Sequence, residues 1–299
     1  SEAKNTLNYL KEKKKINDNT DDYILKLYNK GYNKNTIDYL IRNLNKSQIT
    51  DFLDKKYSKD FEEYIKLDLF KYSKYNRYLK YQEKHKDLSL EDVVIRIELN
   101  MDKTYYEDSE FIKNPDEITT LANKYYEIPE DYEPKDLVDM EDDYANNMYG
   151  TLTLRKEAYE KFKEMCNASR KDGVKFYAES AYRGYNYQNI IYKNYIDENG
   201  QEKADKYAAR PGFSEHELGL ALDLANIWTI TTKGEEYKWL TKNAYKYGYI
   251  IRYKKEWEDI TGYSAESWHI RYVGVKAASV IQKENITYEE YYAKYILTK

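Results

Sequence analysis

The sequence predicts an α+β fold: a small mixed or antiparallel sheet with flanking helices, preceded by a small helical domain. Three observations carry this. Beyond residue 101, strand-type and helix-type segments mix without a regular βαβ repeat. Residues 21–100 show helical periodicity alone. Two of the three histidines, His216 and His269, sit in or beside short β-type segments of the second part. A chain of 299 residues suits one large or two modest domains. The expected division is a polar tether or disordered start over 1–20, a helical domain over 21–100 and a larger domain over 101–299.

Taken in order, residues 1–20 are polar and charged, with a basic run at Lys13–Lys15. Ile37, Leu40, Ile41 and Leu44 follow the i, i+3, i+4, i+7 pattern of an amphipathic helix. A second helix starts after Ser58 and carries Phe61, Ile65 and Leu69. A third starts near Ser89, with Asp92 placed as in a capping box before Val93, Val94 and Ile97. Pro115, Pro129 and Pro134 mark a turn-rich stretch. Leu154 to Ser169 reads as an amphipathic helix ending before Gly173, with Cys166 packed as a small apolar residue. Val174 to Tyr177 is strand-like, and Asn186–Asp197 and Gln201–Ala209 are helices around Gly200. Gly219–Ala225 reads as a short buried strand. Glu235–Tyr247 is a helix stopped by Gly248, and Tyr249–Tyr253 a strand. Trp268–Val273 is a strand by its β-branched and aromatic content. Val275–Lys283 and Tyr288–Tyr295 close the chain as helices.

The chemistry concentrates in the second half. His216 follows Pro211-Gly212 and belongs at a loop end. Asp223 interrupts an otherwise apolar strand, where a carboxylate is costly unless paired or bound to a cation. His269 supplies a second imidazole. Two imidazoles and one carboxylate suit a catalytic zinc site, which keeps a fourth position for water. Glu266, three residues before His269, is placed to take a proton from zinc-bound water and return it to a leaving amine. Arg183, at the turn marked by Gly184, offers a fork of donors for an oxyanion or a carboxylate. Taken singly, a histidine is more often structural and an arginine more often a surface ion-pair partner. Their co-occurrence argues for one site. His85, in the charged run Glu83-Lys84-His85-Lys86, reads as a solvated surface residue.

The pattern Ser214-x-His216-x-x-Gly219-x-Ala221-x-Asp223, followed by Glu266-x-Trp268-His269, resembles the VanY-type D-alanyl-D-alanine carboxypeptidases, zinc peptidases of the LAS group. Lys238-Trp239-Leu240 and Arg271-Tyr272-Val273-Gly274 support it, and the resemblance covers roughly 101–299. It implies a catalytic domain of the LAS and Hedgehog type holding one zinc ion on His216, Asp223 and His269. It implies Glu266 as general base and acid, and Arg183 polarising the scissile carbonyl. It places Ser214 and Gln188 at the terminal D-residue or its neighbour, with Tyr182, Trp268 and Tyr272 about the substrate cleft. The implied activity removes the C-terminal D-Ala from peptidoglycan stem peptides or precursors. Its neighbours are L,D-carboxypeptidase action on tetrapeptide stems and endopeptidase action within the stem. A rival of another class is a zinc-stabilised cell-wall binding protein, which has no need of a base like Glu266. Departures flank the pocket: Ser180-Ala181-Tyr182-Arg183-Gly184 stands where the family often has Ser-Gly-Tyr-Arg-Ser, and Glu217-Leu218 where it often has Gln-Thr.

Composition narrows the classes. A single cysteine excludes an intrachain disulfide, multi-thiolate zinc sites and Cys-Cys redox chemistry. No run of 18 apolar residues offers a membrane span. Ser1-Glu2-Ala3-Lys4 is not a secretory signal. Action on the wall therefore implies an extracytoplasmic protein whose signal or anchor is not in this sequence. A net charge of −4, mixed in sign along the chain, gives no nucleic-acid footprint. A monomer is expected. The 37 tyrosines fit the codon bias of an AT-rich bacterial genome better than a glycan-stacking surface.

Overall fold

The computed structural model describes residues 20–226 and 230–298, together with Asn5 and Asn8. The reading of 1–20 as a tether lies largely outside the described residues. The chain divides into two compact units, Ser1–Glu98 and Leu99–Lys299.

The first unit is helical: α1 Thr20–Lys30, α2 Lys34–Asn43, α3 Lys46–Asp54, α4 Lys59–Tyr64, α5 Tyr75–Lys84 and α6 Leu90–Glu98. Helix α2 buries Ile37 and Leu40, as its periodicity requires, and Asn33 caps it by accepting from the Thr36 N–H. A reciprocal Asn45–Gln48 capping box starts α3. Ser89 and Asp92 make the predicted contacts at the start of α6, Oγ to Oδ2 at 2.6 Å and Asp92 N to Oγ at 3.1 Å. Helix α4 stops at Tyr64, so Leu69, placed on this helix by the sequence pattern, lies beyond it. Helices α1, α3 and α5 escaped the sequence reading. The core face of α5 is Tyr75, Tyr78 and Tyr81, which reads as amphipathic only once tyrosine is counted as an apolar body with a polar tip. Phe61 centres this core, 4.5 Å from the Phe52 ring and 5.0 Å from Tyr75. His85 is a correction: it is half-buried and stacks on Tyr81 at 4.2 Å rather than standing in solvent.

The second unit starts with two small ladders. Strands β1 Glu110–Phe111 and β2 Tyr126–Glu127 pair parallel, and β3 Leu137–Asp139 and β4 Thr153–Arg155 pair antiparallel. Then come α7 Lys156–Lys171, β5 Tyr177–Ser180, α8 Tyr185–Asn199, α9 Gln201–Tyr207, β6 Ala221–Ala225, α10 Glu235–Asn243, β7 Tyr249–Tyr253, α11 Glu258–Thr261, β8 Glu266–Tyr272, α12 Val275–Glu284 and α13 Tyr288–Tyr291. The central sheet has four antiparallel strands in the order β5-β6-β8-β7. The predicted α+β class therefore holds, with the helices flanking a small antiparallel sheet.

Helix α7 covers one side of the sheet. Its Phe162 ring lies 6.1 Å from Tyr249 and 6.4 Å from Phe176. Cys166 is buried on the same helix. The β5 ladder begins at Tyr177, later than the apolar run from Val174 predicted, because Phe176 serves as a core plug before pairing starts. After α10 a 3₁₀ turn, Ala244–Tyr247, completes the predicted helix. Gly248 ends it at φ 81°, where an added Cβ would lie 2.6 Å from the Tyr272 ring. The last predicted helix splits into α13 and a π-type turn, Tyr292–Ile296.

Two ladder irregularities shape the sheet. Across β5 and β6, Ala178 faces Leu224 while Ser180 faces Asp223, so Glu179 is extra. Across β7 and β8, Ile251 faces Ile270 while Tyr253 faces Glu266, so two steps on β7 span four on β8.

Candidate active site

His216 stands on a 3₁₀ turn, Glu215–Leu218, that enters β6. The turn is fixed from both ends. Ser214 Oγ accepts from the His216 N–H at 3.3 Å, and the Glu217 carboxylate accepts from Gly212 N at 2.9 and 3.0 Å. Burial pushes the Glu217 carboxyl up to about 7. The His216 ring is aimed by Nδ1, 2.7 Å from the Ala181 carbonyl, which accepts its proton. Nε2 is buried and makes no hydrogen bond among the described residues, yet lies 3.3 Å from Asp223 Oδ2.

Asp223 on β6 and His269 on β8 are direct ladder partners. Asp223 Oδ1 is 3.2 Å from His269 Nδ1. The ligand atoms of His216, Asp223 and His269 all lie within 4.8 Å of one another. A buried imidazole nitrogen without a hydrogen-bond partner, facing a carboxylate and a second imidazole, fits a zinc ion in both chemistry and spacing. The protonation pattern agrees with three groups crowded about one point. Burial and the Arg183 cation hold the His216 imidazole down to about 4. Burial also opposes charge on His269, but hydrogen bonds to Asp223 and Glu215 outweigh it and raise the ring to about 9. Against its own burial, Asp223 is held well below the usual carboxylate range, chiefly by His216.

Glu266 Oε2 lies 3.6 Å from His269 Nδ1. Burial pushes its carboxyl up to about 7; His269 opposes the shift and Asp223 adds to it. That is the range a group needs in order to take a proton and later return it near neutral pH. Arg183 spreads three contacts: Nη1 to Asp223 Oδ2 at 3.1 Å and to Ser180 Oγ at 2.8 Å, and Nε to Gln188 Oε1 at 3.0 Å. Gln188 is itself held by donation to the Ala209 carbonyl at 2.9 Å.

These groups border one cavity of about 140 Å³, whose wall includes Arg183, Gln188, Ser214, Glu266 and Trp268 beside the three candidate ligands. Two expected cleft residues do not border it. Tyr272 is 1 % exposed and donates to Glu157 Oε1 at 2.6 Å. Three positions from His269 along the strand, it faces the α7 side. Tyr182 is half-buried beside Gly184, outside the cavity wall. Ser214 borders the cavity while also capping the turn. Tyr195, Tyr207, Tyr253 and Tyr263, to which the sequence assigns no role, also border it. The sequence reading also gave no role to Glu215, which is fully buried beside His269. The available signal was its place next to His216 in a stretch otherwise bound for the interior.

Residues 151–275, which carry the candidate ligands, Glu266 and Arg183, match a family described as VanY, D-alanyl-D-alanine carboxypeptidase. The putative carboxypeptidase YodJ of Bacillus subtilis is 42% identical over 211 residues, 66% of this chain and 77% of that protein. The chain belongs to the VanY family of D-alanyl-D-alanine carboxypeptidases. The D-alanyl-D-alanine carboxypeptidase of Enterococcus faecium is 36% identical over 57% of this chain and 56% of its own length. Among solved structures, the LD-carboxypeptidase LdcB is similar at 42% identity and TM-score 0.59, over 63% of this chain and 91% of that one. A VanY D,D-pentapeptidase of a VanB-type resistance cassette, solved with Zn(II), is similar at 31% identity and TM-score 0.52, over 58% and 98%. The VanY family thus supplies the carboxypeptidase class, its bacterial cell-wall setting and the fold, while its solved relatives include both D,D- and L,D-enzymes.

Proposed function

We propose that this VanY-family chain is a zinc-dependent D,D-carboxypeptidase that removes the C-terminal D-Ala from peptidoglycan stem peptides or precursors. The observation that carries the proposal is the convergence of His216, Asp223, His269, Glu266 and Arg183 on one cavity. His216 would hold the metal through Nε2, His269 through Nδ1 and Asp223 through its carboxylate. When bound, zinc supplies a Lewis acid that polarises a carbonyl and acidifies water at its open position.

The chain's own groups account for the rest. Glu266 takes the proton of the attacking water, whose oxygen bonds to the carbonyl carbon. Arg183 presents a guanidinium N–H to the charge that develops on the carbonyl oxygen. Glu266 then gives its proton to the amine nitrogen as the C–N bond breaks, which releases D-Ala. We assign recognition of the terminal residue to Ser214 and Gln188, and Trp268 walls the cleft. No helix among the described residues is long and apolar enough to cross a membrane. We place the enzyme outside the cytoplasm as a monomer acting on stem peptides, with residues 101–299 as its catalytic domain.

A second reading, L,D-carboxypeptidase action on tetrapeptide stems, is favoured by the likeness to LdcB. Pentapeptide and tetrapeptide stems incubated with the zinc-loaded protein and read by mass spectrometry separate the two. Loss of one D-Ala from the pentapeptide alone supports the proposal. Loss from the tetrapeptide alone replaces it with the second reading. No product on any stem, with zinc fully bound, would leave a binding protein, a role that gives Glu266 no work.

A further inference from the structure

Glu215 has a fully buried carboxylate, and the side chains of Arg252, Arg271 and His269 converge on it. Arg252 Nε donates to its Oε1 at 2.8 Å, and Arg271 Nη1 lies 3.1 Å from the same oxygen. Both arginines are anchored behind. Arg252 makes a two-point contact with Glu289, Nη1 to Oε2 at 2.9 Å and Nη2 to Oε1 at 2.5 Å. Arg271 donates to the Tyr272 and Thr120 carbonyls at 2.9 and 2.8 Å. The second oxygen of Glu215 faces His269 Nε2 at 3.4 Å.

We propose that Glu215 is a positioning residue for the metal centre: clamped by Arg252 and Arg271, it accepts the Nε2 proton of His269 and so commits Nδ1 to the metal. The geometry leaves the two ring nitrogens with different tasks. Nδ1 faces Asp223 and Glu266, and Nε2 faces the clamped Glu215 carboxylate. Two arginines and two glutamates balance, so the cluster accepts an N–H from neutral imidazole, the form that ligates a metal, without leaving a charge unpaired. His216 meets the same need differently, with a backbone carbonyl on Nδ1 and Nε2 turned to the site. Outer carboxylates that fix a ligand imidazole typically change metal affinity about 10–100-fold.

This inference rests on the zinc reading above. The test measures zinc affinity by chelator competition for the full chain, for Glu215→Gln and for Glu289→Gln. Both variants remove one negative charge from the same cluster, but only the first touches His269. The expected result is a loss of about 10-fold or more in affinity for Glu215→Gln and less than about twofold for Glu289→Gln, with both metal-free proteins showing lowered melting temperatures. Unchanged affinity in Glu215→Gln, or equal loss in both variants, overturns the inference and leaves the zinc reading standing. Absence of zinc binding by the unaltered protein overturns the zinc reading itself. Should Glu215→Gln fail to fold, ring-nitrogen NMR of the unaltered protein loaded with spin-active cadmium decides. Metal coupling to His269 Nδ1 with a proton kept on Nε2 supports the inference, and coupling to Nε2 overturns it.

Discussion

Glu266 Oε2 lies 3.6 Å from His269 Nδ1, although the two residues are three apart on one strand and ideal alternation would put them on opposite faces. The ladder irregularity opposite Ile251–Tyr253 removes that conflict. Extra residues in β8 reset the facing, so Glu266, Trp268 and His269 all border the cavity. Bulges commonly re-aim side chains in this way at active sites.

Glu266→Gln is expected to keep zinc and lose activity. The amide preserves size and polarity but takes no proton, and general acid–base groups contribute about 10²–10⁴-fold. Turnover on the preferred stem peptide, measured beside metal content, checks it; wild-type kcat in a zinc-replete variant would remove Glu266 from the mechanism.

Arg183→Lys is expected to lower kcat by roughly 10²-fold, the usual cost of one lost oxyanion donor. An ammonium retains the charge but not the fork that reaches Asp223, Ser180 and Gln188 together. Steady-state kinetics test this, and a change confined to KM would assign Arg183 to substrate binding alone.

Arg252→Met is expected to destabilise the protein by about 3–5 kcal/mol, because it leaves Glu215 and Glu289 buried without their shared cation. Urea unfolding of the metal-free protein measures it. A loss below about 1 kcal/mol, the scale of an exposed pair, would mean the cluster is hydrated.

Lys124 carries a pH prediction. Lys124 is 7 % exposed, and its ammonium lies 4.8 and 4.9 Å from the centres of the Tyr263 and Tyr105 rings. Burial pushes the ammonium down to about 8; Asp205 opposes this, and Arg210 and Lys206 add to it. In the unfolded chain the amine titrates near its ordinary 10.5. Between these values the unfolded state binds more protons, so stability rises with pH across about 8 to 10.5. The stability difference between wild type and Lys124→Met should therefore move in favour of wild type over that window. A flat difference in paired denaturation curves would show that Lys124 titrates normally when folded.

Much of the second unit was legible in the primary structure because its signals are local. Tyr249–Tyr253 is a run of apolar and aromatic residues broken only by Arg252, all of it buried, and it forms β7 with the predicted ends. Gly248 was readable as a stop because a positive φ there needs no partner to explain it. In the helical unit, α5 was missed because its buried face consists of tyrosines, whose hydroxyls mask the apolar body in the pattern. Tyr272 was expected in the cleft from the family resemblance alone, and in this chain it turns instead to α7, where it donates to Glu157.

The sequence by itself determined which side chains can do the chemistry. His216, Asp223, His269, Glu266 and Arg183 are distinctive by type and spacing, and an aspartate in an apolar strand demands a partner wherever it lies. Only the tertiary structure decided how they meet. Ladder pairing set Asp223 opposite His269, the irregularity in β8 turned Glu266 to the same side, and the burial of Arg252 and Arg271 put a clamped carboxylate behind His269. Those relations join residues tens of positions apart. Strand register and long-range burial create them, and no local propensity encodes either one.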